Sequence, residues 1–455
     1  MPTVDTTSAV LSGWGKTMPT RSDVATLDND ELPDLVSDPG SRGVLVRGLG
    51  RSYGDAAQNG GGTIVHLSDD TIDLDADEST VRVAAGVSID RLLHEIVPQG
   101  FFVPVSPGTR HVTVGGAIAS DIHGKNHHTD GSFGNHVRSL RLLLADGSVA
   151  GLSPTDRPDL FWATVGGMGL TGIIVEATIA LLPIETSRLR VEATRVDDLD
   201  TLLTTMEEGD HRYRYSVAWV DVLAKGAHLG RSVLGRGDHA SVDDLPKDQA
   251  GDPLAYCAPQ RLSVPPLIPG PGVINRLSVA AFNELWFRKA PRHSERVESI
   301  PTFFHPLDAI GTWNRVYGRR GFVQYQVVIP FGAEDTLRRL IEQFSETATI
   351  SFLTVLKRFG GANPAPLSFP RPGWTLAVDV PAALPGVADV FRNMDEAVLE
   401  AGGRHYFAKD AHISPAIVRA TYPRLDEWRT VRNSVDPDGV WQSDLARRLD
   451  LCGRG

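Results

Sequence analysis

The stretch Val44-Leu45-Val46-Arg47-Gly48-Leu49-Gly50-Arg51-Ser52-Tyr53-Gly54-Asp55 constrains the fold more than any other. Three aliphatic residues run into a Gly-x-Gly-Arg-Ser-x-Gly-Asp turn, so a buried strand hands over to a loop whose backbone must come close to something. Bare N–H groups at close range suit an anion such as the diphosphate of a cofactor. The spacing is not the dinucleotide fingerprint Gly-x-Gly-x-x-Gly followed by a helix, because Gly54 and Asp55 follow Tyr53 at once and Gly60-Gly61-Gly62 is a poor helix start. Taken alone, the stretch reads as a phosphate-cradling loop outside the Rossmann class or as a Gly-rich surface hairpin.

A second dense region begins at Pro104-Val105-Ser106-Pro107-Gly108-Thr109. It continues through Val112-Thr113-Val114-Gly115-Gly116-Ala117-Ile118-Ala119-Ser120 to Asp121-Ile122-His123-Gly124-Lys125-Asn126-His127-His128. The small residues let backbone lie against a planar ligand, and the polar cluster supplies donors and a titratable imidazole. His123 alone reads as a structural or as a functional histidine. Adjacent His127 and His128 do not point one way on a strand and lack an acidic partner at ligand spacing, so no metal is expected there. Ser139 to Leu144 reads as a strand closed by a tight Asp146-Gly147 hairpin. Phe161 to Ile174, with four glycines, again brings backbone near a ligand or another strand.

Between these regions Thr80 to Ala84 alternates as a half-buried strand, and Ser88 is a candidate N-cap for a helix burying Leu92, Leu93 and Ile96. With 455 residues the chain exceeds one compact core and predicts two domains or three. Its net charge of −11 argues against nucleic acid, and two cysteines exclude a disulfide scaffold or a Cys-rich metal site. Residues 1–10 lack a basic and apolar leader, and no run of apolar residues is long enough to span a membrane.

After Pro183 the Gly-rich turns thin out. Long strands are expected at 213–222 and 321–330, and helices with apolar residues at Leu337, Leu340, Ile341 and Phe344 and at Val387, Val390, Phe391, Met394 and Val398. The apolar, Pro-rich residues 263–274 are irregular, either touching something greasy or forming a buried Ω-type loop. Toward the C-terminus, Trp428, Val431 and Val435 predict one helix face ending at a Pro-Asp-Gly turn.

Gly13-Trp14-Gly15, residues 47–55, Pro107-Gly108-Thr109, residues 112–119, 121–128, 131–138 and 161–174, Gln324-Tyr325-Gln326, residues 406–410 and Trp428 occur in order over nearly the whole chain. Together they resemble the FAD-linked oxidases of the vanillyl-alcohol oxidase type. Within that family the resemblance is to the branch acting on a polyprenylphosphoryl ribose. It implies an α+β fold: a PCMH-like FAD-binding domain of two α+β subdomains over residues 1–185, completed by 400–455, and a substrate domain with an antiparallel sheet over 186–399.

The resemblance also implies roles. Arg47, Gly48, Leu49, Gly50, Arg51, Ser52, Tyr53, Gly54 and Asp55 would wrap the FAD diphosphate, with Gly115 and Gly116 beside the flavin. Pro107, Gly108, Thr113, Val114, Ser120, Asp121, Ile122, His123, Ile174 and Tyr406 would complete the cofactor site. Many relatives link the flavin covalently to a His in the first loop; Arg51 and Ser52 stand there instead, so non-covalent FAD is expected. The implied chemistry removes a hydride from a secondary alcohol to the flavin and a proton to a base. Lys409, His123 and Tyr53 would be the catalytic groups, with Lys409 either the base, at a lowered pKa, or the stabiliser of reduced flavin.

Lys125, Tyr317, Gln326 and Lys357 would line the sugar and phosphate end, with a solvated surface position the other reading of Lys357. Trp219 reads as a core residue of its strand, although the resemblance implies a place near the pocket. The family's Trp-x-x-Cys-Val-Asp strand reads Trp374-Thr375-Leu376-Ala377-Val378-Asp379, so Ala377 replaces a reactive thiol beside the substrate.

The expected reaction is oxidation of the ribose 2-hydroxyl of decaprenylphosphoryl-β-D-ribose to the 2-keto form, the first half of an epimerisation to the arabinose donor of cell-wall arabinan. An NAD(P)H-dependent keto-reductase partner would finish it. Peripheral contact with the inner membrane is expected, on the cytoplasmic face for want of a leader, with periplasmic association left open by the resemblance. Rival readings are an oxidase of a soluble alditol or aldonolactone, and a flavin-free binding module.

Overall fold

A computed structural model describes residues 5–265, 274–346 and 351–453. Strands β1 (Thr7–Leu11), β2 (Thr20–Leu27), β3 (Val44–Val46) and β4 (Thr63–Leu67) form a sheet of order β1-β2-β4-β3. β2 and β3 both run parallel to β4. β2 buries Ala25 and Leu27 on one side and Ser22 on the other, so its sequence carries little alternating strand signal. β3 is the buried strand that delivers the first Gly-rich loop. The acidic segment after β2 supplies the helix Leu32–Ser37.

The next five strands are β5 (Ile72–Asp75), β6 (Thr80–Ala84), β7 (Val137–Leu143), β8 (Val149–Leu152) and β9 (Ile173–Ala180), in the order β5-β6-β9-β7-β8. The helix Ile89–Ile96 starts where expected: Ser88 Oγ accepts from Arg91 N at 3.1 Å, and Leu92, Leu93 and Ile96 are buried. The small-residue run forms a short helix, Val114–Ala119, in spite of its two glycines. Thr113 Oγ1 accepts from Gly116 N at 3.1 Å, and Val114, Ala117 and Ile118 are buried. His127 and His128 sit on a single helical turn rather than a strand, and they diverge. Nδ1 of His127 accepts from Gly360 N, whereas Nε2 of His128 faces the carbonyls of Asp210 and Tyr213.

Eight antiparallel strands make the largest sheet: β10 (Arg188–Val196), β11 (Tyr215–Val220), β12 (Ser232–His239), β13 (His293–Ser299), β14 (Phe322–Ile329), β15 (Thr354–Phe359), β16 (Gly373–Pro381) and β17 (Arg404–His405). Their order is β13-β10-β12-β11-β15-β16-β14-β17. Helices Glu334–Glu346 and Val387–Glu400 bury Leu340, Ile341, Phe344, Phe391 and Met394 against it, as the sequence spacing predicts, and a third helix, Leu199–Gly209, adds Leu202. The other face, where side chains alternate out of that core, turns toward the two Gly-rich regions.

The C-terminal stretch returns to the N-terminal half. Val44 N donates to Val440 O at 2.8 Å and Gln442 N to Val44 O at 3.0 Å, extending the first sheet beside β3. In the helix Leu425–Val435, fully buried Trp428 donates its Nε1 to Ala163 O at 2.9 Å. Of the Pro-rich stretch, residues 266–273 lie outside the described residues; before them Leu262–Ser263 pairs with Ile310–Gly311. No helix among the described residues is long and apolar enough to cross a membrane.

Candidate active site

A cavity of about 930 Å³, at the upper end of the size of ligand sites, lies between the Gly-rich regions and the large sheet. Its wall includes Arg47, Gly48, Leu49, Gly50, Arg51, Ser52 and Tyr53 from the first loop, and Pro107, Gly108, Thr113, Gly115, Gly116, Ser120, Ile122 and His123 from the second. Ile174, Tyr406 and Lys409 join from further along, and Lys125, Gln326, Lys357 and Ala377 from the opposite side. Segments far apart in sequence therefore converge on one space.

The first loop is held from outside. Trp14 N donates to Ser52 O at 2.7 Å and Gly15 N to Tyr53 O at 3.0 Å, which accounts for the Gly13-Trp14-Gly15 stretch. Arg47 spends its guanidinium on the loop itself, donating to Ala57 O at 2.6 Å and Ser12 O at 2.7 Å. Arg51 lies over the Trp14 ring at 3.9 Å, and its buried Nε has no protein partner. A Cβ on Gly48 would sit 2.4 Å from Thr113 Oγ1, so the bare backbone of the first loop packs directly on the Thr113 side chain of the second. Close backbone, an unspent buried guanidinium N–H and a cavity of about 930 Å³ fit FAD.

Five expected residues do not reach the wall. A Cβ on Gly54 would lie 2.0 Å from Asp410 O, so this glycine packs backbone on backbone behind the loop. Asp55 is held by Arg448 in a two-point pair, 2.8 Å at each oxygen, and Arg448 also binds Asp410 Oδ2 at 2.8 Å. It therefore locks the loop to the C-terminal segment. Val114 turns into the core. Asp121, at a left-handed φ of 39°, is fully buried and accepts from Ser132, Gly134 N, Asn363 and Ser368, pinning the loop that carries His123. Tyr317 is buried in a helical turn, stacked on Phe322 at 4.4 Å, and supports Tyr53 from behind instead of touching substrate space. Trp219, expected in the core, is half-buried on the wall, its Nε1 donating to Phe352 O at 3.0 Å.

The polar groups of the wall form one connected set. His123 lies between Gln326, whose side-chain amide is 2.9 Å from Nε2, and Lys357, whose Nζ is 3.0 Å from Nδ1. Burial and the nearby lysines hold its imidazole neutral, well below the ordinary histidine range. A neutral ring carries one N–H, so it donates to one of these partners and accepts from the other. Burial lowers Lys357 to about 7 and Lys125 to about 8. Lys357 also donates to Gly124 O at 3.3 Å, so it is not a solvated surface lysine. Lys125 donates to Phe303 O and lies 4.2 Å from the Phe303 ring centroid.

Lys409 Nζ is 3.6 Å from the centroid of the Tyr53 ring, and burial lowers it to about 8. Gln324 bridges the Tyr53 hydroxyl and Asp379 Oδ1. Burial pushes Tyr53 well above the ordinary phenol range and Asp379 up to about 7. Gln324 and Asp379 were not among the expected site residues, although both lie in quoted motifs. Asp379 stands two residues after Ala377 on β16, hence on the same face, and that spacing was the available signal.

A family described as FAD binding domain matches residues 28–153, and one described as D-arabinono-1,4-lactone oxidase matches residues 333–449. The chain is 46% identical over 454 residues to the decaprenylphosphoryl-beta-D-ribose oxidase of Mycolicibacterium smegmatis, with 98% of each chain covered. It is 23% identical to an alditol oxidase of a Streptomyces species, covering 92% of this chain and 93% of that one. Against the L-gulono-1,4-lactone dehydrogenase of Mycobacterium tuberculosis the identity is 25%, with the same coverage. This chain belongs to the decaprenylphosphoryl-ribose oxidase family of FAD-linked oxidoreductases.

Proposed function

We propose that the protein oxidises the ribose 2-hydroxyl of a decaprenylphosphoryl-β-D-ribose to the 2-keto product, using non-covalently held FAD. The observation that carries this reading is a single wall joining the Gly-rich loops to Lys409, Tyr53, His123, Gln326 and Lys357, in a chain 46% identical over its length to such an oxidase. The weaker identity to an alditol oxidase favours the lipid-linked sugar over a soluble alditol. Residues 1–185 with 400–455 would hold the cofactor and 186–399 the substrate.

Bound FAD supplies the hydride acceptor. Removing hydride from carbon requires the hydroxyl proton to leave as well, and the wall offers few bases. Tyr53, its pKa raised, is a neutral phenol that donates, and both ring nitrogens of His123 are engaged by Gln326 and Lys357. Lys409, lowered to about 8, has an appreciable neutral fraction near neutrality and takes the proton. Asp379, reached through Gln324 and Tyr53, then faces the ammonium that forms. Lys125 and Lys357 suit a phosphodiester as point charges. Arg51 and Ser52, in place of a linking His, leave the flavin without a covalent bond.

The keto product would need an NAD(P)H-dependent reductase as partner to complete an epimerisation toward arabinan, and the lipid substrate implies peripheral membrane contact. Incubation with the lipid substrate and an electron acceptor should yield a product lighter by two hydrogens that borohydride returns to a mixture of ribo and arabino forms. A substrate recovered unchanged, while xylitol is oxidised, would replace this reading with the alditol one.

A further inference from the structure

On the face of β14 opposite the cavity, three segments bring nitrogen and oxygen donors together. Asp395 comes from the helix Val387–Glu400, His405 from β17, and His412 from the loop that follows Lys409. His405 Nε2 is 2.8 Å and His412 Nε2 3.3 Å from the same oxygen, Asp395 Oδ1. All three candidate ligand atoms lie within 4.8 Å of one another.

A tetrahedral zinc with bonds near 2.0–2.1 Å holds its ligands about 3.3 Å apart, so the three atoms stand close to coordination spacing without backbone movement. The surroundings suit an ion. Asp410 Oδ1, which accepts from the backbone N–H groups of His412 and Ile413, fixes the loop that carries His412 and lies 3.4 Å from its Nδ1, in ion-pair reach without a hydrogen bond. Tyr325 donates to Asp395 Oδ1 at 3.1 Å, which fixes that carboxylate from the sheet side. His405 is 2% exposed and His412 19%, so His412 is the member of the cluster nearest solvent.

The geometry points to a divalent metal site of the zinc type, ligated by Asp395, His405 and His412. Two imidazoles and one carboxylate suit a borderline cation better than calcium or magnesium, which take oxygen shells. Each ligand comes from a separate segment, so the ion joins the helix Val387–Glu400 to the strand end and to the loop of Lys409. Tyr325 stands between Gln324 and Gln326 on β14, whose side chains face the cavity. The site thus backs the catalytic wall and steadies the turn that presents Lys409, with no contact to substrate. The alternative occupant of this space is a plain hydrogen-bonded cluster in which both imidazoles and the tyrosine donate to Asp395.

Metal analysis separates the two. The flavin-loaded protein, stripped with a chelator and re-exposed to ZnCl2, should retain one zinc per chain after gel filtration. Its melting temperature should rise with zinc, and Co2+ in place of zinc should give visible absorption. His412→Asn, at the partly exposed ligand, and Asp395→Asn should each weaken zinc binding by about 100-fold and abolish the thermal shift. Glu192→Gln, at an unrelated group of acidic and His side chains, should change neither. Wild-type protein that retains no zinc, or retention unaltered in both variants, would overturn the site and leave the hydrogen-bonded cluster.

Discussion

In the proposed reaction Lys409 carries the heaviest chemical demand of any residue. Replacing it with Ala should lower the rate of flavin reduction by substrate by about 10²–10⁴, the usual worth of a positioned base. The sign of the pH dependence follows from its lowered pKa. Below about 8 the amine is mostly protonated and cannot accept a proton, so the rate should rise with pH and level off above that value. A rate that falls over the same range would make the ammonium the active form. Ala377 carries a second prediction. Cys257 is exposed and Cys452 buried off the cavity, so no thiol lines the wall. Compounds designed to bond to a cavity thiol should add no mass at the cavity, and a gain persisting when both Cys257 and Cys452 are changed to Ser would contradict this.

At the scale of elements, the ion pairs of Arg448 decide whether the first loop and the Lys409 turn stay together. Arg448→Met would leave Asp55 and Asp410 buried without their cation, at a cost of about 3–5 kcal/mol in chemical unfolding. Arg448 holds the Asp410 carboxyl below its ordinary value. That stabilisation is therefore present above the unfolded carboxylate pKa of about 3.9 and is lost as pH falls through the lower folded value. The variant should lack it at every pH. Sequence legibility divides along the same lines. Helices with strong apolar spacing, the Ser88 cap and the Asp146-Gly147 hairpin were readable because each signal is local. β2 was not, since its buried residues fall on both sides and do not alternate. The loop motifs imply cofactor contacts for Asp55 and Asp121 because a motif cannot tell a carboxylate facing the ligand from one holding the loop from behind, where both lie in the structure. The Asp395, His405 and His412 cluster was invisible for the same reason, because its members meet only through packing.

For the whole molecule, the proposed function requires a greasy substrate to reach a buried wall. The helix Arg276–Lys289 exposes Leu277 (82%) and Leu285 (67%), while its Phe282 and Trp286 line the cavity. An apolar surface that runs into the cavity is suited to receive a prenyl chain at a membrane face. Changing Leu277 and Leu285 together to Asp should reduce cosedimentation with anionic phospholipid vesicles and leave reduction by a short-chain, water-soluble substrate analogue intact. Equal sedimentation of variant and wild type would rule this helix out as a membrane-contacting surface.

The central claim joins one cofactor, one substrate class and one wall, and anaerobic mixing tests it at once. Decaprenylphosphoryl-ribose added to the yellow protein without oxygen should bleach the flavin absorbance, with free alditols and aldonolactones far slower. Bleaching by a soluble sugar with none by the lipid-linked ribose would contradict the account.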